Sequence, residues 1–238
     1  MQVIISLYLK KASVAFKRRF MYSIDNVHAV LQENGFNIFS RPYELNIVGI
    51  RANSTIPNNF DDTIFVSYTK ENGAWQSHQF RATTDPGTYW LLNPLDPNGT
   101  AILKHGQYLR SYKIGLHRGL YPALVQENPV TVIRDYQRKA VLDFMNGWQE
   151  TGMFGINIHH AADYGTTKYI DKYSAGCQVF ANAGDFAFFM QLCERHRSLY
   201  GNQFTYTLID ERALIRSTKK NWCSEWASSA PASLPSSC

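Results

Sequence analysis

Apolar residues recur at helical spacing near the start of the chain, in the stretch from Ser23 to Gly35. The stripe consists of Ile24, Val27, Val30 and Leu31. Ser23 or Asp25 can cap the first turn through a side-chain oxygen, and Gly35 favours termination because glycine readily adopts a left-handed conformation. The pattern therefore predicts one helix over 23–35.

Short β-rich segments separated by turn residues follow from Tyr43 onward. The clearest pair is Thr63–Tyr68 and Trp75–Ala82, because Asn72-Gly73 between them is a strong hairpin signal. Further strands are predicted at Leu45–Ile50, Tyr112–Leu116, Val130–Ile133, Gly155–His159, Gln178–Phe180 and Phe204–Ile209. The long stretch from Thr84 to Gln107 contains Pro and Gly, and we expect it to run over the surface beside a cleft.

A helical pattern returns after Gly184, where Asp185 can cap a second helix that runs to about Arg197. Its apolar positions are Phe186, Phe189, Met190 and Cys193. Cys193 is therefore expected in the core. From Ser217 the sequence becomes rich in Ser, Ala and Pro and loses its apolar period, which is typical of a tail.

These patterns divide the chain of 238 residues into four parts. We expect a basic arm at 1–20 outside the fold, an N-terminal helical segment at 21–43, a main domain at 44–212 and a disordered tail at 213–238. The fold class is mostly β, within the α+β class, with one N-terminal helix and one packed helix near the C-terminal end.

Composition and charge narrow the possible partners. Hydrophobic residues make up 45% and charged residues 18%, which is ordinary for a soluble globular protein. The net charge of +5 suggests an anionic partner. Much of this excess, however, lies in five residues: Lys10, Lys11, Lys17, Arg18 and Arg19. The remainder is close to neutral, so we expect no nucleic-acid face.

The N-terminal sequence bears on localisation. Its first nine residues are apolar and are followed by lysines, the reverse of the order in a signal peptide, and no apolar run reaches the length of a membrane span. We expect a protein made in the cytoplasm without a signal peptide and without a membrane span. Met21 would also serve as a start.

The chemistry centres on a histidine pair and a cysteine. Gly155-Ile-Asn-Ile-His-His-Ala161 delivers His159 at the end of a predicted strand, and Ser174-Ala-Gly-Cys177 forms a turn before the next one. A thiol becomes an efficient nucleophile when a neighbouring base removes its proton. Gly176 allows a sharp turn, so that its N–H and that of Cys177 can face a developing oxyanion. These residues predict an acyl-transfer site.

The same residues resemble a family motif. His159, a spacer of fourteen residues and then Ser174-Ala-Gly-Cys177 is similar to the His-x(14–17)-[Ser/Thr]-His-Gly-Cys signature of L,D-transpeptidases, the YkuD-type enzymes of peptidoglycan. From Tyr43 to Asp210 the sequence pattern is similar to that of the family as well. Two segments in particular, Asp61-Asp62-Thr-Ile-Phe-Val and Gln107 through Gly119, resemble a variant found in phage and prophage genes. About two-thirds of the chain is covered, but only the histidine and the Ser-x-Gly-Cys turn are specific.

The resemblance implies a β-sandwich or open barrel at 44–212 that works without cofactor or metal. It also implies peptidoglycan stem peptides as partners, with a thioacyl-enzyme formed on Cys177 after attack at the L-centre of a diamino acid and loss of D-alanine. His159 acts as the base and is oriented by the backbone carbonyl of His160. Without a signal peptide, such an enzyme reaches the cell wall or periplasm after lysis or by another export route.

Two departures from the signature bear on the reaction. Ala175 stands where the family has histidine, and Gln178 follows the cysteine where Arg or Asn is common. Hydrolysis, as in an L,D-carboxypeptidase, and transpeptidation both remain open.

Other interpretations compete with this one. Cys177 is a small buried hydrophobe in one of them, and His160 joins Asp163 or Cys177 at a metal in another, although adjacent strand residues face opposite sides. His117 is read as a satisfied surface histidine rather than a second base or a substrate contact. Asp61 and Asp62 are read as turn-formers. At the level of function, the alternatives are a cysteine peptidase or amidase with another substrate and a non-catalytic phage wall-binding protein.

Overall fold

The computed structural model describes residues 22–217, and the elements follow in chain order. Three helices are α1 (Ile24–Glu33), α2 (Thr88–Leu92) and α3 (Ala183–Tyr200). The strands are β1 (Asn46–Arg51), β2 (Asp62–Thr69), β3 (Trp75–Thr83), β4 (Thr100–Leu103), β5 (Gly106–His117), β6 (Tyr121–Gln126), β7 (Val130–Asp135), β8 (Gln149–Gly152), β9 (Ile158–His160), β10 (Gln178–Phe180) and β11 (Phe204–Asp210). Residues 211–217 are also helical. The mostly β, α+β class predicted from the sequence is confirmed.

Eight strands form one sheet in the order β1-β11-β5-β6-β9-β10-β3-β2. The sheet closes because β1 pairs antiparallel with β2 on one edge and parallel with β11 on the other. The expectation of a sandwich or an open barrel is wrong on this point, since closure through β1 leaves no free edge there. β6 and β9 share a single paired position, Leu124 with Ile158.

A second, three-stranded antiparallel sheet, β4-β7-β8, lies beside the closed one. Both contribute to one core, in which Leu103 and Val132 of the small sheet pack with Ile158 and Phe180 of the large one. The stretch 84–107, expected to run over the surface, instead contains α2 and β4. Leu91 and Ile102 of this stretch are fully buried.

The two longer helices follow their apolar stripes. Ser23 caps α1 by accepting a hydrogen bond from Asn26 N, and the helix buries Val27, Val30 and Leu31. The side chain of Asn182, not that of Asp185, caps α3, because Asn182 Oδ1 accepts from the N–H of Asp185. Cys193 is fully buried on α3, as predicted.

The C-terminal boundary differs from the sequence prediction. Leu214, placed in the tail that was expected from 213, is 3% exposed and packs in a cluster with Val27 and Leu31 of α1. Ser217 is buried as well. The folded unit therefore extends at least to 217. The predicted basic arm at 1–20 and the rest of the predicted tail lie outside the described residues.

No helix within 22–217 combines the length and the apolar character that a membrane span requires.

Candidate active site

Neighbouring parallel strands bring the predicted histidines and cysteine together. β9 and β10 pair with His159 opposite Val179 and His160 opposite Phe180. Cys177 directly precedes β10, two residues before Val179. Since side chains two apart on a strand share a face, Cys177 and His159 lie on the same side of the sheet. His160 faces the other side, where its ring lies 5.0 Å from that of Phe186 on α3.

The imidazole of His159 is held at one nitrogen and left open at the other. Its Nδ1 lies 2.8 Å from the backbone oxygen of His160, and this carbonyl can only accept, so Nδ1 carries the proton. The hydroxyl of Tyr121 lies 3.2 Å from the same nitrogen. Nε2 is buried and has no hydrogen-bond partner among residues 22–217. A neutral His159 therefore presents an unshared lone pair at Nε2.

Burial keeps this imidazole neutral. His159 is 3% exposed, and this burial, with the nearby His117 as the next cause, lowers its pKa to about 3. The hydrogen bond to the His160 carbonyl acts in the opposite direction but is weaker. At neutral pH the ring is therefore an unprotonated base.

Cys177 is a partly exposed thiol whose sulfur contacts two backbone groups. Sγ donates to the carbonyl of Gly155 at 3.4 Å and accepts from the N–H of Asn157 at 3.4 Å. Burial of its surroundings raises the thiol pKa to about 11, while the Asn157 N–H and the charge of Arg118 oppose the shift. At rest the thiol and the imidazole are therefore both neutral, and within the described residues no hydrogen bond joins Sγ of Cys177 to Nε2 of His159.

The Ser174-Ala-Gly-Cys177 turn is fixed from within. The hydroxyl of Ser174 donates to the carbonyl of Cys177 at 2.8 Å and accepts from the N–H of Gly176 at 3.1 Å. Gly176 has φ +125, and a Cβ there would lie 2.2 Å from the carbonyl oxygen of Ala101 on β4. Ser174 and Gly176 thus shape the turn.

This geometry changes the expectation for the oxyanion donors. The N–H of Gly176 already donates to Ser174, so it is not available to a substrate oxygen. The N–H of Cys177 makes no hydrogen bond within the described residues. Of the two donors predicted from the sequence, only the N–H of Cys177 is open.

His117 belongs to this site, contrary to its reading as a surface histidine. It is 8% exposed, and its ring stacks on that of His159 with centroids 4.0 Å apart and planes 21° apart. The sequence showed only Gly-Leu-His-Arg-Gly between two strands, of which one was not predicted. The contact depends on β5 and β6 lying beside β9, which local pattern does not reveal.

A cavity of about 460 Å³ opens next to Ala175, two residues from the thiol. Trp90, Phe154 and Arg134 form part of its wall. The guanidinium of Arg134 is held by Glu150 at 2.7 Å and Asp96 at 3.2 Å. Neither Cys177 nor His159 lines this cavity, which approaches the turn through Ala175.

A metal interpretation finds little support in the geometry. Nε2 of His160 lies 4.0 Å from Oδ1 of the exposed Asp163, and this pair of side chains lacks a third ligand among the described residues. Within residues 22–217, no group of three His, Cys, Asp or Glu side chains is arranged to hold a metal ion.

Asp62 is a buried acceptor and not simply a turn-former. It lies on β2 at 2% exposure, and its carboxylate accepts from the N–H of Ala52 and from the N–H and hydroxyl of Thr84. This carboxylate ties the end of β1 to the end of β3.

Comparison of the chain with models of protein families, with curated proteins and with solved structures gives no match. A functional interpretation therefore depends on the side chains and backbone groups described above.

Proposed function

We propose that the protein is a cysteine acyl-transfer enzyme of the L,D-transpeptidase type that acts on peptidoglycan stem peptides. The observation that supports it most is the arrangement of His159. Its Nδ1–H is fixed by the His160 carbonyl, so its lone pair at Nε2 is buried and unpartnered on the face that Cys177 shares. This is the tautomer that a general base for the thiol needs.

The acylation step follows from this geometry. Sγ attacks the substrate carbonyl carbon while the thiol proton moves to Nε2 of His159. The tetrahedral oxyanion accepts a hydrogen bond from the N–H of Cys177. Collapse breaks the C–N bond, the imidazolium returns its proton to the leaving amine, and a thioester remains on Cys177.

Deacylation repeats the exchange with a second nucleophile. Water or an amine attacks the thioester, His159 takes the proton of the nucleophile, and the thiolate leaves and is reprotonated. Water gives carboxypeptidase activity and an amine gives a cross-link. Ala175 faces the cavity beside the thiol where the family signature has histidine, which leaves room for either nucleophile.

The raised pKa of Cys177 and the lowered pKa of His159 bear on the mechanism. They favour transfer of the thiol proton during attack over a preformed thiolate–imidazolium pair. The same values also fit the rival proposal of a wall-binding protein without turnover, in which an inert thiol would titrate at or above the ordinary value of about 8.5.

Purified tetrapeptide muropeptides test the proposal. Incubation with the full chain should release D-alanine and give tripeptide or cross-linked products by mass spectrometry. Intact-protein mass should show a transient acyl adduct that peptide mapping places on Cys177. Cys177→Ala should give neither.

The outcomes separate the candidates. Binding to peptidoglycan sacculi without any product or adduct would favour the non-catalytic wall-binding protein. A Cys177 adduct with another amide or peptide, and none with muropeptides, would favour a cysteine peptidase or amidase.

A further inference from the structure

His117 is enclosed with the proposed base although it lies on a different part of the sheet. It ends β5, and its ring covers one face of the His159 ring at 4.0 Å between centroids. Two nearly parallel imidazoles at this distance exclude water from the covered face. Tyr121 of β6 lies close to both rings: its ring centroid is 5.5 Å from that of His117, and its hydroxyl is 3.2 Å from Nδ1 of His159.

Asn157 determines which nitrogen of His117 carries the proton. The Oδ1 of Asn157 accepts from the backbone N–H of Gln126 at 2.9 Å, so the other end of the amide is Nδ2, a donor. Nδ2 lies 3.0 Å from Nδ1 of His117, which must therefore accept. His117 is neutral with its proton on Nε2, because a proton on Nδ1 would face the amide N–H.

The same asparagine reaches the thiol. Its backbone N–H contacts Sγ of Cys177, while its side chain fixes His117. A neutral His117 beside His159 adds no charge at rest, and protonation of both stacked rings would bring two positive charges together.

From this geometry, we propose that His117 is a positioning residue that fixes the plane of the His159 imidazole and keeps it unprotonated for its role as base. The inference rests on the proposed function, since it gives His159 that role. The burial of His159, which is the main cause of its lowered pKa, depends in part on the ring that covers it.

The charged and titratable groups around His159 come from each neighbouring element. They are His117 of β5, Arg118 of the β5–β6 turn, Tyr121 of β6, His160 of β9 and Cys177 before β10. None of these is a carboxylate, and only the hydrogen bond to the His160 carbonyl favours the imidazolium. Loss of His117 should therefore change the titration of His159 mainly through solvent access.

The test is the titration of His159 in the full chain, followed by the NMR signal of its Cε1–H and assigned with His159→Gln. His117→Ala opens one face of the ring to water, and the pKa of His159 should rise by about one unit or more. His117→Phe keeps an aromatic ring on that face and removes only the second charge, so the pKa should rise less than in His117→Ala. The pH profile of Cys177 alkylation should show the same order among the variants.

Unchanged titration of His159 in folded His117→Ala would overturn the inference. If the alanine variant does not fold, His117→Phe decides by itself, because a rise in that variant to an ordinary imidazole pKa would also overturn it. The NMR signal requires no substrate. Absence of muropeptide turnover together with the expected titrations would therefore count against the proposed function and leave the coupling of the two rings standing.

Discussion

At the scale of single residues, the two cysteines on described elements differ in what surrounds them. Cys193 lies on α3 at 0% exposure among apolar side chains, whereas Cys177 is partly exposed and has a backbone N–H without a hydrogen bond in the described residues. The first contributes to packing, and the second can meet a substrate.

Cys177→Ala should abolish acyl transfer with little loss of stability, because the thiol is removed from a partly open position. Cys193→Ala should keep activity and lower the free energy of unfolding by about 1 kcal/mol, because it shortens a buried side chain. Product formation and urea unfolding of both variants check this. Normal turnover by Cys177→Ala would contradict the central proposal.

The adjacent histidines provide a second comparison. His159→Ala should lower turnover by roughly 10²–10⁴-fold, the usual worth of general-base help. His160→Ala retains the backbone carbonyl that holds Nδ1 of His159, so it should lose only about a few-fold. Steady-state rates of the two variants provide the measurement, with circular dichroism to establish folding. Equal losses would point to a shared role of the two rings.

At the scale of elements, the turn before β10 depends on the absence of one Cβ. Gly176→Ala would place a carbon against the Ala101 carbonyl in a left-handed conformation, so the turn and β4 must move apart. We expect turnover to fall by at least about 10²-fold, since small displacements of the reacting groups cost that much.

Gly165→Ala is the matched control for this change. Gly165 also has a positive φ, +70, but a Cβ added there would have no neighbouring atom within 4 Å. Its substitution should therefore cost only backbone strain, about 1 kcal/mol, and leave turnover near normal. Similar rates for the two alanine variants would show that the contact with Ala101 does not hold the turn in place.

Sequence pattern predicted the elements with strong alternation or clear caps. β1, β2, β3, β10 and β11 and the two longer helices agree with their predicted positions to within about two or three residues. β6 was missed because Pro122 within it argues against a strand, and its ladder to β9 is a single pair. β8 was missed because Gln149–Gly152 is polar and partly exposed.

The sequence predicted the part of the site that is local along the chain and missed the part that depends on distant strands. His159, Cys177 and the turn between them are close in sequence, and their strands are neighbours. The stacking of His117 depends on the order β5-β6-β9, which is set by packing across the whole sheet. The engagement of the Gly176 N–H by Ser174 depends on the detailed shape of one turn, which residue types alone do not determine.

At the scale of the whole molecule, buried neutral histidines link stability to pH. The pKa of His117 is lowered to about 4 and that of His159 to about 3 by burial, against an ordinary value near 6.5. As pH falls, the unfolded chain takes up these protons before the folded chain does. The stability that the two neutral histidines contribute is therefore complete above pH 6.5 and is lost as pH falls toward 4 and below. Asp62 and Asp85, whose pKa values burial raises, contribute a slope of opposite sign.

A comparison of wild type with His117→Phe isolates one histidine from these opposing groups. As pH falls from about 6 to 5, the unfolding constant of the wild type should rise more steeply than that of the variant. The difference between the two slopes should be about tenfold per pH unit. Urea unfolding at several pH values gives both slopes. Parallel curves would show that His117 does not take up a proton on unfolding.

The extent of the folded unit gives a further prediction. A chain of residues 21–217 should melt cooperatively, because it retains Leu214 against α1. A chain of residues 21–212 ends where the sequence patterns placed the domain boundary and lacks Leu214, so it should lose about 2–5 kcal/mol of stability. Thermal and urea unfolding of both chains measures the difference in stability. Equal stability would show that 213–217 is dispensable.

The parallel pairing of β1 with β11 has a consequence for synthesis. β1 ends at Arg51, whereas its parallel partner β11 begins at Phe204. One edge of β1 therefore has no partner until nearly the whole domain has been translated. At about 5–20 residues per second, that delay is on the order of ten seconds. During this time a buried, apolar strand has an open edge on the nascent chain, and contacts of such long sequence separation form slowly even after release. Until β11 is made, this edge of β1 can pair with other strands, and such non-native pairing competes with correct folding.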